Sequence, residues 1–283
     1  MPRQRPSIAD KRRTFHHLHA AGCFVIPNPW DLGSARYLQS LGFRALATTS
    51  SGFAWSRARP DGTTSRDEAL AHMREIVDAT DLPVNADFES GYAADAAGVG
   101  ESVRLAIETG VAGLSIEDSS GDPARPLRSL DDAVARVRAA RAAIDRSGGD
   151  VLLVARAECL WLGRPDLDET IARLRAYANA GADCLYAPGL KTREQIAAVV
   201  AAVAPRPINL LVGTASEWTV RDIAALGVRR VSVGGALARA AWAGWMSAAR
   251  MLADEGRFDG LAGAASGSAL DALFGAAADR PGA

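Results

Sequence analysis

Lysine and cysteine are scarce in this 283-residue sequence, and their scarcity narrows the chemistry available to the protein. The two lysines are Lys11, in a predicted first helix, and Lys191, beyond a predicted strand end, so Schiff-base catalysis is not expected. The three cysteines, Cys23, Cys159 and Cys184, lie far apart and include no C-x-x-C pair. An odd number of widely spaced cysteines favours a reducing compartment, which predicts a cytoplasmic protein without a disulfide framework.

Long apolar runs and a strong charge of either sign are also missing. No run approaches the roughly 20 apolar residues that a membrane-spanning helix needs. The first residues are charged and lack the apolar region of a secretion signal. The formal net charge is −1, with 32 Lys and Arg against 33 Asp and Glu. Neither a membrane nor a nucleic acid is therefore expected as a partner.

What the sequence does contain is a repeated alternation of short apolar strands and helices. Eight such units predict an α/β fold, a (β/α)8 TIM barrel with an extra N-terminal helix and a C-terminal helical tail. We expect one domain over residues 1–283, with the barrel at about 21–257 and a helical extension at 258–283. A doubly wound sheet is the alternative, which the lack of a G-x-G-x-x-G fingerprint disfavours.

Two local patterns predict structure outside the strands. Residues 50–64 contain two glycines and a proline and are predicted to form a long loop. The first helix, at 8–20, carries His16, His17 and His19, whose spacing does not place all three on one face. We interpret the three histidines as a surface feature and not as a metal site.

Acidic residues follow two neighbouring predicted strands. Asp87 and Glu89 end the third strand, Glu117 ends the fourth, and Asp61 lies in the loop after the second. The carboxyl ends of barrel strands form the active-site rim, so these side chains should converge there. Carboxylates without His or Cys favour a hard cation, which predicts a Mg²⁺ site, with Mn²⁺ as the alternative metal. A set of structural ion pairs is the other interpretation.

The fifth strand ends in Arg156, whose guanidinium could clamp a substrate carboxylate or phosphonate through two hydrogen bonds. The alternative is an ion pair with Glu117 or Glu158. The small residues at 48–52 offer backbone N–H groups to an anion, although small residues also make tight turns. Residues 233–235 (Val-Gly-Gly) are typical either of a barrel phosphate site or of close helix–strand packing.

Aromatic residues near the predicted rim have two interpretations each. Tyr186, at the end of the sixth strand, is a candidate proton donor or a packing residue. Trp30 and Trp55 are expected to line or cover the pocket. The cysteines near the rim have no neighbouring histidine, so a cysteine nucleophile is not expected.

Six short motifs occur in a fixed order along the chain. They are Asn28-Pro29-Trp30-Asp31, Thr48-Thr49-Ser50-Ser51-Gly52, Pro60-Asp61-Gly62, Ala86-Asp87-Phe88-Glu89-Ser90-Gly91-Tyr92, Ser115-Ile116-Glu117-Asp118 and Val154-Ala155-Arg156-Ala157-Glu158. In this order and spacing, residues 27–257 resemble the isocitrate lyase/phosphoenolpyruvate mutase superfamily.

The resemblance implies a Mg²⁺ site that Asp87 contacts directly, while Glu89, Glu117 and Asp61 act mainly through waters on the metal. It implies a 2-oxo or 2-hydroxy carboxylate substrate that chelates the metal, with an enolate-like state stabilised during the reaction. Arg156 and the amides of Thr49, Ser50 and Ser51 would hold substrate oxygens, beside Trp30. The resemblance also implies a homo-oligomer, a dimer or tetramer, often with the C-terminal helix exchanged between neighbouring barrels.

The sequence departs from the superfamily pattern after the fourth strand. Family lyases carry a Lys-Lys-Cys-Gly-His segment there, whereas residues 119–126 read Ser-Ser-Gly-Asp-Pro-Ala-Arg-Pro. Phosphoenolpyruvate mutase uses a Lys and an Asn in this loop and a His after strand six, which this chain also lacks. The glycine and prolines of the loop predict a lid at residues 119–127.

These departures leave C–C bond cleavage of a small 2-hydroxy- or 2-oxo-carboxylate (di- or tricarboxylate) as the favoured reaction. Arg156 and Glu117 are the predicted catalytic residues, and the general acid stays open among Ser119, Ser120, Tyr186 and a water on the metal. The alternatives are P–C bond chemistry of the phosphoenolpyruvate mutase or phosphonopyruvate hydrolase type and oxaloacetate decarboxylation. A non-enzymatic alternative is an inactive barrel that serves as a binding protein.

Overall fold

Eight parallel strands form the sheet, which confirms the predicted (β/α)8 barrel. The computed structural model describes residues 5–278, so residues 1–4 and 279–283 of the predicted domain lie outside the described part. The strand order is β1-β8-β7-β6-β5-β4-β3-β2, and the Ala47 N–H donates to the Pro27 carbonyl at 3.0 Å to close the ring. The strands are β1 Phe24–Ile26, β2 Leu46–Ala47, β3 Val84–Asp87, β4 Gly113–Glu117, β5 Leu152–Arg156, β6 Cys184–Tyr186, β7 Ile208–Leu211 and β8 Arg230–Ser232.

Helices surround this barrel, and most begin with a side-chain cap. The Asp31, Ser65 and Thr192 side chains, for example, each accept from the backbone N–H three residues later, as good N-caps do. The helices are α1 Ile8–Ala20, α2 Leu32–Ser40, α3 Ser50–Ser56, α4 Arg66–Ala79, α5 Ala96–Ile107, α6 Leu130–Arg146, α7 Leu167–Asn179, α8 Arg193–Val203, α9 Val220–Ala225, α10 Ala236–Glu255 and α11 Gly267–Ala278, with a 3-10 turn at Asp259–Leu261.

The prediction of a continuous loop at 50–64 is wrong at its start, where α3 forms. Thr49 caps this short helix, because its hydroxyl accepts from the Gly52 N–H at 3.3 Å. Gly52 also allows a close approach, since a Cβ there would lie 2.7 Å from the Thr49 methyl group. The glycine that suggested a loop therefore serves packing inside a helix.

Residues of the strands alternate between the barrel interior and the layer beneath the helices, as period-2 strand geometry requires. In β5, Leu152 and Val154 belong to the interior cluster, whereas Leu153 and Ala155 belong to the cluster between sheet and helices. Arg156 is the next interior residue in this alternation. The same rule places Asp87, Glu117 and Tyr186 inside the carboxyl end of the barrel.

Helix α1 closes the opposite end of the barrel. Its Phe15 and Leu18 are buried in the interior cluster, and a Cβ on Gly113 would lie 2.6 Å from the Phe15 ring. His19 is also buried there, packed edge-on against the rings of Phe15 and Phe24. The interpretation of all three histidines as surface residues is therefore wrong for His19.

The C-terminal helices differ in how they contact the barrel. Among the twenty residues of α10, Ala238 alone is buried within the described chain. By contrast, α11 packs against α2, since the Phe274 ring lies 3.5 Å from a Cβ built on Gly33. No helix among the described residues is both long enough and apolar enough to cross a membrane.

Asn28 joins the strands at the point where the ring closes. Its amide donates to the Thr48 carbonyl at 3.0 Å, and its carbonyl oxygen accepts from the Val233 and Gly234 N–H groups at 3.0 and 2.8 Å. The side chain is buried, so water cannot replace these bonds. One amide thus links the carboxyl ends of β1, β2 and β8.

We expect Asn28→Ala to lower the free energy of unfolding by about 2–4 kcal/mol, because the buried Thr48 carbonyl and the half-buried N–H groups of Val233 and Gly234 lose their partner. Urea unfolding followed by circular dichroism measures this change. Asn179→Ala, at an exposed helix end, is the matched control and should change stability by less than about 0.5 kcal/mol. Equal stability of the two variants would show that Asn28 does not hold the ring closed.

Candidate active site

The Arg156 guanidinium lies at the centre of the barrel mouth, bound to carboxylates from three strand ends. Its Nη1 lies 2.8 Å from Asp87 Oδ1 and 3.2 Å from Glu117 Oε2, and its Nε donates to Glu158 Oε1 at 2.9 Å. Glu117 and Arg156 are register partners on β4 and β5, which brings them together. Of the two interpretations of Arg156, the ion pairs with Glu117 and Glu158 are present in this structure.

Burial strengthens the electrostatic coupling at this centre. Burial alone would lower the Arg156 pKa, but the surrounding Glu158, Glu117 and Asp87 carboxylates raise it well above its usual value. Burial raises the pKa of Glu117 well above its ordinary range, and it raises that of Glu158, while Arg156 opposes both shifts. The guanidinium is therefore permanently charged, and the carboxylates compete for it.

Asp87 is oriented by the start of α3 as well as by Arg156. Its Oδ2 accepts from both the backbone N–H and the hydroxyl of Ser50, at 3.0 and 2.9 Å. Its own N–H donates to the Thr48 hydroxyl at 2.9 Å. The helix that the sequence did not predict therefore fixes the position of the central carboxylate.

Two further carboxylates face the same mouth. Glu89 has a positive φ of 46°, which turns its side chain back so that Oε1 accepts from the Tyr92 hydroxyl at 2.9 Å. Burial, together with the charges of Asp87 and Asp61, raises the pKa of Glu89 to about 7. Partial burial and the nearby Asp87 carboxylate also raise the pKa of Asp61, whose backbone lies in an exposed turn.

The donor set fits a hard divalent cation. Five carboxylates, Asp61, Asp87, Glu89, Glu117 and Glu158, interact with one another around a single guanidinium. Burial raises the pKa values of Asp61, Glu89, Glu117 and Glu158, and the charges of neighbouring carboxylates raise them further. Within residues 5–278, no three acidic, His or Cys side chains are already grouped to hold a metal, because these carboxylates point to Arg156, Ser50 and Tyr92. Binding of a cation would therefore exchange these contacts.

Tyr186 lies directly against the arginine. The Arg156 guanidinium sits over the Tyr186 ring at 4.9 Å, a cation–π contact that orients both groups. Burial raises the pKa of Tyr186 to about 12, although Arg156 lowers it in part. The phenol is therefore protonated at neutral pH.

The predicted substrate-binding residues lie around α3, with different contacts. The Thr49 hydroxyl caps the helix and lies 3.1 Å from the Ser51 hydroxyl, while both donors of Ser50 are used by Asp87. The backbone N–H of Ser51 makes no hydrogen bond to another described residue. Trp30 is half-buried, with its Cβ 3.0 Å from a Cβ built on Gly52.

The loop after β4 forms a short antiparallel turn beside the mouth. Ser119 pairs with Leu127 across this turn, and the Ser120 hydroxyl donates to the Arg125 carbonyl at 2.5 Å. The Ser119 hydroxyl makes no hydrogen bond within residues 5–278, whereas the Ser120 hydroxyl helps to build the loop.

The 233–235 segment packs closely against α3. Its first two N–H groups donate to Asn28, and a Cβ on Gly235 would lie 2.8 Å from the Ser51 hydroxyl and 3.0 Å from the Trp55 ring. This geometry supports the packing interpretation, because the amides that would bind a phosphate already have an acceptor.

Sequence reasoning missed Asp118 as a supporting residue. It follows Glu117, so strand alternation points it outward, where its buried carboxylate accepts from Arg173, Tyr177 and the Glu158 N–H at 3.1, 2.5 and 2.8 Å. The bond to the Glu158 N–H ties this network to the partner of Arg156. The sequence feature that could have identified Asp118 is the second acidic residue at the end of β4, because the other outward-facing residues of this strand are apolar.

We expect Asp118→Asn to lower the free energy of unfolding by about 3 kcal/mol, since the buried Arg173 loses one of its two anionic partners. Asp168→Asn, at an exposed position of α7, is the control and should be close to neutral. Denaturant titration of both variants gives the comparison. A small, equal effect in both would mean that the Asp118–Arg173 pair adds nothing to stability.

The chain is similar to known proteins in both sequence and overall structure. The family model for phosphoenolpyruvate phosphomutase matches residues 15–253. A crystal structure from Burkholderia cenocepacia J2315, described as a "putative lyase/mutase", superposes with a TM-score of 0.91 at 45% identity and covers 94% of this chain and 96% of its own. An oxaloacetate acetylhydrolase bound to its product oxalate superposes with a TM-score of 0.83 at 30% identity, covering 95% of this chain and 96% of its own.

Named enzymes are among the sequence relatives. Oxaloacetate decarboxylase of Paraburkholderia xenovorans is 32% identical over 232 residues, which cover 78% of this chain and 74% of the relative. The family match and these similarities agree with the motifs at the barrel mouth. The chain therefore belongs to the isocitrate lyase/phosphoenolpyruvate mutase superfamily of lyases and mutases.

Proposed function

We propose that the protein is a Mg²⁺-dependent lyase that cleaves a C–C bond of a small 2-oxo- or 2-hydroxy-dicarboxylate. The observation that carries this proposal is the charge arrangement of the mouth, where five carboxylates surround one guanidinium. Such a mouth requires a divalent cation before it can accept an anionic substrate. Relatives named oxaloacetate decarboxylase and 2-methylisocitrate lyase support this substrate class.

Asp87, Glu89 and Glu117 would hold the cation, with Asp61 nearby. Bound Mg²⁺ would supply positive charge to the substrate oxygens that chelate it and to the negative charge that develops on the substrate. Ser50 donates to the Asp87 carboxylate and Thr48 accepts from the Asp87 N–H, so both the side chain and the backbone of this residue are positioned at the mouth. Mn²⁺ has similar ligand preferences and is the alternative metal.

Arg156 is the proposed clamp for the substrate. Its Nε and Nη1 are held by Glu158 and Asp87, while its Nη2 makes no hydrogen bond to any residue within 5–278. The hydrogen bonds of Nε and Nη1 fix the plane of the guanidinium. Nη2 can donate to a substrate carboxylate or to the developing enolate oxygen. The unpaired Ser51 N–H, beside Thr49 and Trp30, is a second donor for a substrate oxygen.

Tyr186 and Ser119 are the proposed donors for the proton that the product requires. Tyr186 contacts Arg156 and is protonated. The Ser119 hydroxyl makes no hydrogen bond to another described residue, whereas its carbonyl accepts from Arg128. Neither role needs the Lys or Cys that the loop at 119–126 lacks. Among the candidate reactions, C–C cleavage is therefore the one that least requires the missing Lys and Cys.

P–C bond chemistry is the second candidate, because the matching family model is named for phosphoenolpyruvate phosphomutase. A phosphoryl group is stabilised by several positive charges or amides. The amides at 233 and 234 are occupied by Asn28, and Arg156 is shared among three carboxylates. These contacts favour a carboxylate substrate, and a binding protein without activity is the remaining alternative.

We expect wild-type protein with Mg²⁺ to turn over at least one member of a panel of oxaloacetate, substituted malates, methylisocitrate and phosphonopyruvate, followed by NMR. Arg156→Ala should reduce kcat/KM by about 10²–10⁴-fold, because the transition-state charge loses its clamp. Arg146→Ala, at the exposed end of α6, is the control and should retain full activity. Turnover of phosphonopyruvate alone would overturn the choice of C–C cleavage.

The same samples test the metal ligands. Calorimetry should detect Mg²⁺ or Mn²⁺ binding by the wild type and by Glu75→Gln, an exposed acid on α4, but not by Asp87→Ala. Undiminished binding by Asp87→Ala would sink the proposed ligand set. Tight protein binding without turnover of any panel member would favour the non-enzymatic alternative.

We further propose that the protein forms a homo-oligomer, a dimer or tetramer, through α10. The apolar side chains of this helix are exposed, including Trp245 at 63%, and the helix lines a cleft of about 630 Å³ together with Trp55 and Pro60. An exposed apolar helix face with polar surroundings is typical of an interface. The three unpaired cysteines support a reducing, cytoplasmic location.

Sedimentation velocity should show an oligomer for the wild type and a smaller species for Trp245→Glu, because a charge on the α10 face opposes its burial. Trp161→Glu is the matched control, since Trp161 is equally exposed but lies in the loop after β5. A monomeric wild type, or an unchanged sedimentation coefficient in Trp245→Glu, would contradict an interface on α10.

A further inference from the structure

One inward-facing row of side chains connects the mouth of the barrel with its interior. Each member is the register partner of the next on the neighbouring strand. The members occupy the last positions of β4, β5 and β6, the second of β7 and the first of β8, so the row descends into the barrel. It consists of Glu117, Arg156, Tyr186, Asn209 and Arg230.

Arg230, at the lower end of the row, is a buried cation with neutral neighbours. It is 3% exposed, and its Nε donates to Asn209 Oδ1 at 2.8 Å. Its Nη1 lies 3.4 Å from both Asn85 Oδ1 and His19 Nε2. No carboxylate among residues 5–278 forms an ion pair with it, although a buried charge is costly without one.

His19 accepts from Arg230 as a neutral imidazole. Its Nδ1 lies 2.8 Å from the Phe15 carbonyl, which can only accept, so the proton is on Nδ1 and Nε2 is the acceptor. Burial and then the Arg230 charge lower the His19 pKa to about 3, in agreement with this tautomer. The three hydrogen-bond partners of the Arg230 guanidinium, Asn209, Asn85 and His19, thus all act as acceptors.

The hydrogen bonds beyond Arg230 have a fixed direction. Arginine has no acceptor, so the Asn209 oxygen must face Arg230 and its NH₂ group must face away. That NH₂ group donates to Ser232 Oγ at 2.9 Å. Because Ser232 Oγ accepts there, its own proton remains available for a further acceptor. Burial raises the pKa of Tyr186, and Ser232 opposes this rise in part.

We propose that Arg230, Asn209 and Ser232 form a one-way donor chain that positions Tyr186 with its O–H group directed at the substrate. Each group donates to the next, so the Tyr186 oxygen accepts from Ser232 and its hydrogen points away from Ser232, toward the substrate in the mouth. This inference rests on the proposed lyase function and deepens it, since it assigns Tyr186 as the donor and Arg230 as a positioning residue. Because the Arg230 guanidinium can only donate, it fixes the direction of this chain.

The chain predicts coupled effects in a double-mutant cycle. Tyr186→Phe should lower kcat about 10–100-fold, and Ser232→Ala should lower it about tenfold with little change in KM. In the Tyr186→Phe background, Ser232→Ala should not lower kcat further, because the hydroxyl that Ser232 would position is already missing. Arg230→Lys keeps a donor without an acceptor and should retain more activity than Arg230→Met.

A purely structural role would give a different result. If Ser232→Ala lowers kcat by the same factor with and without Tyr186, the chain does not act through Tyr186 and the inference is wrong. Ser147→Ala, which loses one hydroxyl bond at the far end of α6, is the control and should leave kcat unchanged. The Ser232 and Tyr186 variants keep the test valid even where Arg230→Met does not fold.

An activity-independent measurement separates failure of this inference from failure of the proposed function. In protein labelled with ¹³Cζ-tyrosine, the Tyr186 signal, assigned by its loss in Tyr186→Phe, should shift in Ser232→Ala and in Arg230→Lys. The signal of the exposed Tyr37 should not move. Absence of turnover in the wild type would reject the lyase proposal, whereas an unmoved Tyr186 signal would reject the donor chain.

Discussion

The ion pairs of Arg156 are the interaction on which the mouth of this barrel depends. The guanidinium holds the Asp87 and Glu158 carboxylates at 2.8 and 2.9 Å, and each of these two residues also makes a hydrogen bond to a further element. Asp87 is bound to Ser50 at the start of α3, and the Glu158 N–H is bound to Asp118. Removing the guanidinium would therefore disconnect three strand ends and a helix.

Charge is distributed unevenly along the barrel axis. The mouth has an excess of carboxylates around one arginine, whereas Arg230 lies in the interior with neutral acceptors. Burial makes both the excess carboxylates and the Arg230 guanidinium among neutral acceptors energetically unfavourable, because a low-dielectric interior screens charges weakly. The proposed divalent cation and anionic substrate would bind at the mouth, where the carboxylates are in excess, and not beside Arg230.

Residue patterns predicted much of this site because parallel strands obey a simple rule. Once eight strands were recognised, their alternation required Asp87, Glu117, Arg156 and Tyr186 to face one mouth. Glycine misled the prediction at α3, since Gly52 serves close packing there and not a turn. His19 was misplaced because its burial depends on α1 closing the base of the barrel, which no local pattern in that helix reveals.

The sequence alone determined the barrel, the superfamily motifs and the chemical character of the rim, because periodicity and strand ends are local properties of the chain. Only the tertiary structure decided how the charges are shared. It paired Arg156 with Glu117, Glu158 and Asp87, and it placed Arg230 among neutral acceptors. These choices depend on strand register and barrel closure, which arise from contacts between residues far apart in sequence and are therefore invisible to any short window.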